Sequence, residues 1–377
     1  MVGRVLRVCH VIHDLGPGGA EKLIVDLARL APEAGVDISV VSLMPLGDHH
    51  YPRVLDGLGV PVRSLDLASR WDPRGRGRLR AVLGDLEPHV VHTHLKHADL
   101  LASDVVHELG AAHVSTLHLI EDAVGLVARM KRNAGVRARE RSADRTIAVS
   151  DAVRRWYVES FPAVDASRVV VLRNGVPAPV EITDDRRTAL RREFGVGETD
   201  LLVTMVAIMR PGKGHDDLID AVRLITAEVP IVFVLAGAGP EEARLRRSVA
   251  MAGLGDRIRF AGFRTDADDL LAASDFVVHP SHADALPTAL VQAAAAGIAS
   301  IGTDVGGIPE VVDDETGILV PVGDPPALAD AILELASDAD RRRWLGKQAR
   351  ERFDEEFEGG VWLRRLRRLY DEVVASG

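Results

Sequence analysis

The chain has one cysteine, few aromatic side chains and no basic excess, and each scarcity removes a class of function. A single thiol, Cys9, cannot pair within the chain, so a reducing compartment, the cytoplasm, is expected. Its place in the apolar run VLRVCHVI predicts a buried filler of a first strand. A formal net charge of −10 over 377 residues argues against a general nucleic-acid binder, which carries a basic face. Aromatics at 4% leave few platforms for stacking single strands. No run is apolar for long enough to span a bilayer. The apolar run at the N-terminus breaks at His13 and Asp14, so it reads as a strand and not a signal peptide. Neither GxGxxG nor a P-loop is present, so dinucleotide and ATP sites lack their signatures.

What the chain has is a repeated alternation of short apolar runs with helical stretches. VLRVCHVI, ISVVSL, HVVHTH, AHVSTLH, RTIAVS and RVVVL read as strands in the first half. LLVTMVAIM, IVFVLAG, RIRFAG, FVVHP and ASIGT repeat the scheme in the second. Runs apolar on both sides, separated by helices, predict parallel sheets covered on both faces. The length suits two cores. The predicted fold is α/β, with two doubly wound domains over residues 1–177 and 178–358. Their boundary is expected in VPAPVEITDDRR, after Asn174 and Gly175. A last helix near Val361 to Val374 is expected to follow a break at Gly359 and Gly360.

Four patterns carry chemistry. GPGGAEK, Gly16 to Lys22, lies between a strand and a helix, where Gly18 and Gly19 let a ligand approach free N–H groups. A plain strand-to-helix turn is the other reading. His92, His94 and His97 form a histidine set, but no acid or thiol at metal-ligand spacing joins them, so no metal is expected. STLH places His118 at a sheet's carboxyl edge, and a satisfied structural histidine is the other reading. MRPGKGHDDLI puts Arg210 and Lys213 on a glycine loop suited to a diphosphate, though taken alone the run reads as solvated surface charge. Finally, FVVHPSHADALPTALVQAAAAGIASIGTDVGGIP reads as strand, exposed acidic turn, helix, strand and glycine pair. Pro287 suits a first helical turn, which leaves the amides of Leu286, Thr288 and Ala289 for phosphate oxygens. Asp284 stands just before them, and Gln292 lies further into the helix.

These pieces, in this order, resemble glycosyltransferase family 4, the retaining enzymes of GT-B architecture. The likeness also takes in GGAEKLIVDLA, VVHTHLKHADLL, AVSDAV, VLRNGVP, VLAGAGPEEARL, FAGF and TDVGGIPEVV to TGILVPVGDP, nearly the whole chain. It implies two Rossmann-like domains facing a cleft, with residues 359–377 crossing back to the first. It implies a nucleotide-diphosphate sugar (UDP- or GDP-linked) held by the second domain, a hydroxyl acceptor against the first, and no required metal or cofactor. On that reading Arg210 and Lys213 neutralise the diphosphate together with the helix start at Leu286, Pro287 and Thr288. Asp284 holds sugar hydroxyls, Gln292 faces the ribose, and His118 lies against the sugar from the first domain. His94 and Lys96 fall on the acceptor side, while Ser150 and Asn174 read as capping and turn residues. Asp284 and Gln292 stand where the family has two glutamates, Ala285 replaces a glycine, and Ile208 an arginine. A non-catalytic nucleotide-sugar binder and a GT-B epimerase or phosphorylase are the alternatives.

One stretch stands apart. From Arg129 to Arg145 there are seven Arg or Lys against two acids. In an acidic chain, that is a local basic patch fit for anionic headgroups at a membrane's inner face, or a solvated helix face.

Overall fold

Strands form where aliphatic, β-branched residues run together, and helices where apolar residues recur every three or four positions. The computed structural model describes residues 5–16, 18–69, 72–120, 125–179, 181–226 and 230–376. Contacts divide them into two compact units, residues 1–177 with 359–377, and residues 178–358.

The first unit holds β1 (Leu6–Ile12), β2 (Val36–Ser42), β3 (Val62–Ser64), β4 (Val90–His94), β5 (Ala112–Leu117), β6 (Arg145–Ala148) and β7 (Val169–Val171). They pair in the order β3-β2-β1-β4-β5-β6-β7, and each described ladder is parallel. The second holds β8 (Leu201–Val206), β9 (Ile231–Ala236), β10 (Ile258–Gly262), β11 (Phe276–His279), β12 (Ser300–Thr303) and β13 (Gly317–Val320). Their order is β10-β9-β8-β11-β12-β13, again parallel. Both sheets reverse winding once, between β1 and β4 and between β8 and β11. Open sheets of this kind bind ligands outside the carboxyl ends of strands at such points.

The central strands β4, β9 and β11 are buried along their whole length, β9 as its unbroken apolar run IVFVLA requires. Cys9 is fully buried in β1, and burial pushes its thiol up to about 12, so it stays a protonated filler. No helix among the described residues is long and apolar enough to cross a membrane.

The glycine pair at 359 and 360 does not break the last helix but starts it, at Gly359–Ser376. The chain turns earlier, through the π-turn Phe353–Phe357 and an extended Glu358. Trp362, Leu363, Leu366, Leu369, Tyr370 and Val373 fall on one helical face and join the core of the first unit. Each such apolar side chain contributes roughly 1.5–3 kcal/mol relative to exposure. Inside the sheet layer, the Tyr370 hydroxyl lies 2.6 Å from His92 Nδ1.

Candidate active site

The second unit's winding reversal brings three loops together. The loop after β8 is stitched to the turn after β11 by His282 N–H donating to the Gly212 carbonyl at 2.8 Å. Gly214 has φ +75°, and a Cβ there would overlap the Pro280 carbonyl, so only glycine seats this loop. Gly306 (φ +57°) packs on the Asp284 backbone in the same way, and Gly307 N–H donates to the Asp284 carbonyl at 3.0 Å.

At the centre, Asp284 is only 14% exposed, not the exposed acid of the sequence reading. Its Oδ2 accepts from Lys213 Nζ at 2.5 Å and from His279 Nε2 at 2.9 Å. Burial opposes its ionisation, but the His279 hydrogen bond and the Lys213 ammonium outweigh that, holding it well below the carboxylate range. Its other oxygen, Oδ1, meets no partner among the described residues. Lys213 is therefore half-neutralised before any ligand arrives. Arg210 is exposed, and its guanidinium has no hydrogen-bond or ion-pair partner among the described residues.

The helix Thr288–Ala295 starts at Pro287 with no side-chain cap. The amides of Leu286, Thr288 and Ala289 meet no acceptor among the described residues, while Leu286 and Ala289 are buried. Free N–H groups at a helix start attract anions, and Lys213 is held at Asp284, two residues before the first of these amides. Gln292 is buried, and its amide nitrogen donates to the Asp268 carboxylate. The Gln292 amide is thus already engaged, and exposed Asp268 brings a carboxylate to its side. Sequence reasoning missed Asp268 and His279. A histidine ending the apolar run FVVH was a usable signal for the second, and DADDLL held none for the first.

In the first unit, Gly18 caps the helix Gly19–Leu30 without a side chain. That start is not empty. A Cβ on Gly18 would overlap the Glu21 carboxylate, which folds back over it. Burial, with the Asp14 charge adding, pushes Glu21 up to about 7. Lys22 is tied to Asp26 at 2.9 Å.

His118 follows β5 and is half-buried, with Nε2 at 2.8 Å from His94 Nδ1. Burial lowers its pKa to about 4, so near pH 7 it is neutral and cannot serve as an acid. His94 was expected on the acceptor side, but it is 5% exposed and both its ring nitrogens are engaged, Nε2 with His10 Nδ1 at 2.8 Å. It cannot touch an acceptor. Lys96, half-buried, lines a depression with His118, Arg132 and Trp156. Between His94 and Lys96, Leu95 sits at φ +67°, a left-handed conformation costing about 1–3 kcal/mol for such a residue. Ring nitrogens of His10, His92 and His94 lie within 4.8 Å of one another. Those of His92 are both engaged, by Tyr370 and by the Thr116 hydroxyl at 2.6 Å, as are both of His94, which leaves His10 Nε2 as the one unengaged ring nitrogen of the three.

Behind His118, Asp99 is fully buried. Its Oδ1 accepts from Thr93 at 2.5 Å and Ser115 at 2.7 Å, and its Oδ2 from Arg139 at 2.5 Å. Arg139 also donates to Ser115 and Tyr157. The basic run thus loses Arg139 to the interior. On the helix Leu126–Ser142, Arg129 and Lys131 stay exposed beside Leu126, Val127 and Met130, which are 63–75% exposed. Ser150 caps the helix Asp151–Ser160 by accepting from Val153 N–H.

The sequence profile described as Glycosyltransferase Family 4 matches residues 17–178, and that of Glycosyl transferases group 1 matches 186–352. Alpha-maltose-1-phosphate synthase of Mycolicibacterium smegmatis is 30% identical over 315 residues, 76% of this chain and 79% of that one. N-acetyl-alpha-D-glucosaminyl L-malate synthase of Bacillus anthracis is 32% identical over 188 residues, 50% of this chain. The match spans about half, 49%, of that relative's length. A crystal structure of Anabaena HepE in complex with UDP and glucose has a TM-score of 0.85 at 20% identity, covering 97% of this chain and 99% of that one. At that identity the likeness shows the fold. Each profile takes in most of one doubly wound unit, and the chain belongs to glycosyltransferase family 4, with the GT-B fold.

Proposed function

We propose that the chain is a retaining glycosyltransferase that moves a sugar from a nucleotide-diphosphate donor to a hydroxyl acceptor. The observation that carries this is half-neutralised Lys213, held at Asp284 just before the amides of Leu286, Thr288 and Ala289, which meet no acceptor among the described residues, with Arg210 exposed on the Lys213 loop at the β8–β11 reversal. Breaking the sugar–phosphate bond puts negative charge on the diphosphate and positive charge on the ring. Preorganised donors aimed at that anion lower the barrier most where water is excluded. These groups do what a metal would otherwise do, so turnover is expected to need none. Asp284, held by Lys213 and His279, keeps Oδ1 for a sugar hydroxyl. Gln292 and Asp268 together meet the ribose. Retention follows if the acceptor attacks on the face the diphosphate leaves, and the leaving oxygen takes its proton. Solved neighbours described as complexes with UDP and with UDP-glucose support a nucleotide donor.

A thermal-shift screen against UDP, GDP and their sugars tests the donor. Binding at a hundred times Kd stabilises by about 2.7 kcal/mol, so a clear rise in Tm is expected with at least one, and none with NAD or ATP. No rise with any nucleotide sugar would sink the reading.

The exposed Leu126, Val127, Met130, Arg129 and Lys131 favour an anionic lipid surface as the acceptor's setting. Co-sedimentation with vesicles containing phosphatidylserine should exceed that with neutral vesicles and fall with salt. A Leu126→Ser, Met130→Ser double variant that sediments as well as the parent would exclude this surface.

A further inference from the structure

Two buried imidazoles, His10 and His94, and the half-buried His118 form a chain whose pairings the proposed chemistry does not use. His10 Nδ1 lies 2.8 Å from His94 Nε2, and His94 Nδ1 lies 2.8 Å from His118 Nε2. One end, His10 Nε2, is buried with no partner. The other, His118 Nδ1, has no partner among the described residues, and its ring lines a cavity of about 20 Å³ with Leu23, Asn174 and Trp362. Burial keeps the rings neutral, pulling His10 down to about 3 and His118 to about 4. His94 falls well below its ordinary value, by burial first and then by its histidine neighbours.

A neutral imidazole carries one N–H and one bare nitrogen, so the chain has two registers. In one, each Nδ1–H donates to the next Nε2, leaving a bare acceptor at His10 and an N–H at the free end of His118. In the other every proton moves to Nε2, which strands an N–H donor at His10 in the interior. Buried donors without partners are rarer than buried acceptors without them. The first register is the cheaper one.

We propose that His94, backed by His10, is a positioning residue that locks the His118 ring with its proton on Nδ1, presenting a neutral N–H donor. The geometry sets the ring plane as well, because His94 packs on it at 5.1 Å between centroids and 27° between planes. The lock itself needs no substrate. Only its use, donation to a sugar hydroxyl or diphosphate oxygen, rests on the glycosyl-transfer reading.

Long-range proton–nitrogen correlation spectra of the full chain, ¹⁵N-labelled at histidine and free of nucleotide, test the lock. Rings are assigned with His10→Gln and His118→Asn variants. The expected pattern is a pyrrole-like Nδ1 and a pyridine-like Nε2 at His10, His94 and His118 alike. A proton on His118 Nε2, or shifts averaged between the two forms, overturns the proposal. His94→Asn keeps a donor near the Nδ1 position and should preserve the His118 pattern, whereas His94→Leu should average it. An unchanged pattern in His94→Leu also overturns the proposal. If that variant does not fold, the parent spectrum and His94→Asn decide alone. Because no donor is added, a failed nucleotide screen leaves this result standing, and a wrong tautomer leaves the screen standing.

Discussion

Asp99→Ala should destabilise the first unit by about 3–5 kcal/mol, the cost of leaving a buried charge without its partner. Arg139 is 4% exposed and Asp99 fully buried, so water cannot take over the lost ion pair. Thr93 and Ser115 lose their acceptor in the same step. Against a total of roughly 5–15 kcal/mol, this is a large fraction. A domain of this size should lose roughly 6–20 °C in Tm. The companion variant carries Asp99→Ala with Arg139→Met, removing both charges, and it should recover most of the loss because a buried pair replaced by packed apolar groups is often neutral. Calorimetry on the three proteins decides. A single variant within about 1 °C of the parent, well inside the expected drop, or a double variant no better than the single, would show that Arg139 finds other compensation.

Lys213→Ala should lower kcat/KM by about 10²–10³, the effect of removing one preorganised donor from a developing anion. The substitution takes away a cation and leaves His279 Nε2 as the one hydrogen-bond partner of Asp284 Oδ2 among the described residues. The carboxylate then faces the diphosphate with less compensation, so the loss exceeds that of a surface charge. Arg210→Ala, on an exposed side chain, should cost less, about tenfold. Affinity for UDP or GDP, whichever the screen selects, should fall with Lys213→Ala, while affinity for the bare nucleoside should not. Steady-state rates and calorimetric titration check both. If Lys213→Ala keeps activity within a few-fold of the parent, the anion is met elsewhere and the site assignment fails.

Much of the fold was legible because parallel strands buried on both faces leave unbroken apolar runs. A wholly apolar, β-branched run such as IVFVLA, Ile231–Ala236, is hard to place anywhere else. The strands that escaped notice, β3 and β13, are three and four residues long and lie at sheet edges, where half-exposed residues show no pattern. The glycine loops at Gly214 and Gly306 were visible because a backbone that must approach another carbonyl admits one residue type. Pairings between distant residues were not. Lys213 with Asp284, Asp99 with Arg139, and Gln292 with Asp268 are separated by 71, 40 and 24 positions, and each charge looked free in the sequence. The basic run shows the cost of that blindness, since nothing local distinguishes Arg139, turned inward, from Arg137 and Arg141 on either side.

The closing helix carries an implication for biosynthesis. Trp362, Leu363, Leu366, Leu369, Tyr370 and Val373 complete a core whose other buried members lie before residue 178. A ribosome delivers the whole second unit before it delivers that face. The earlier-made half must therefore wait with its sheet and His92 uncovered while the later-made half, whose core clusters among the described residues lie within residues 178–358, is free to mature ahead of it.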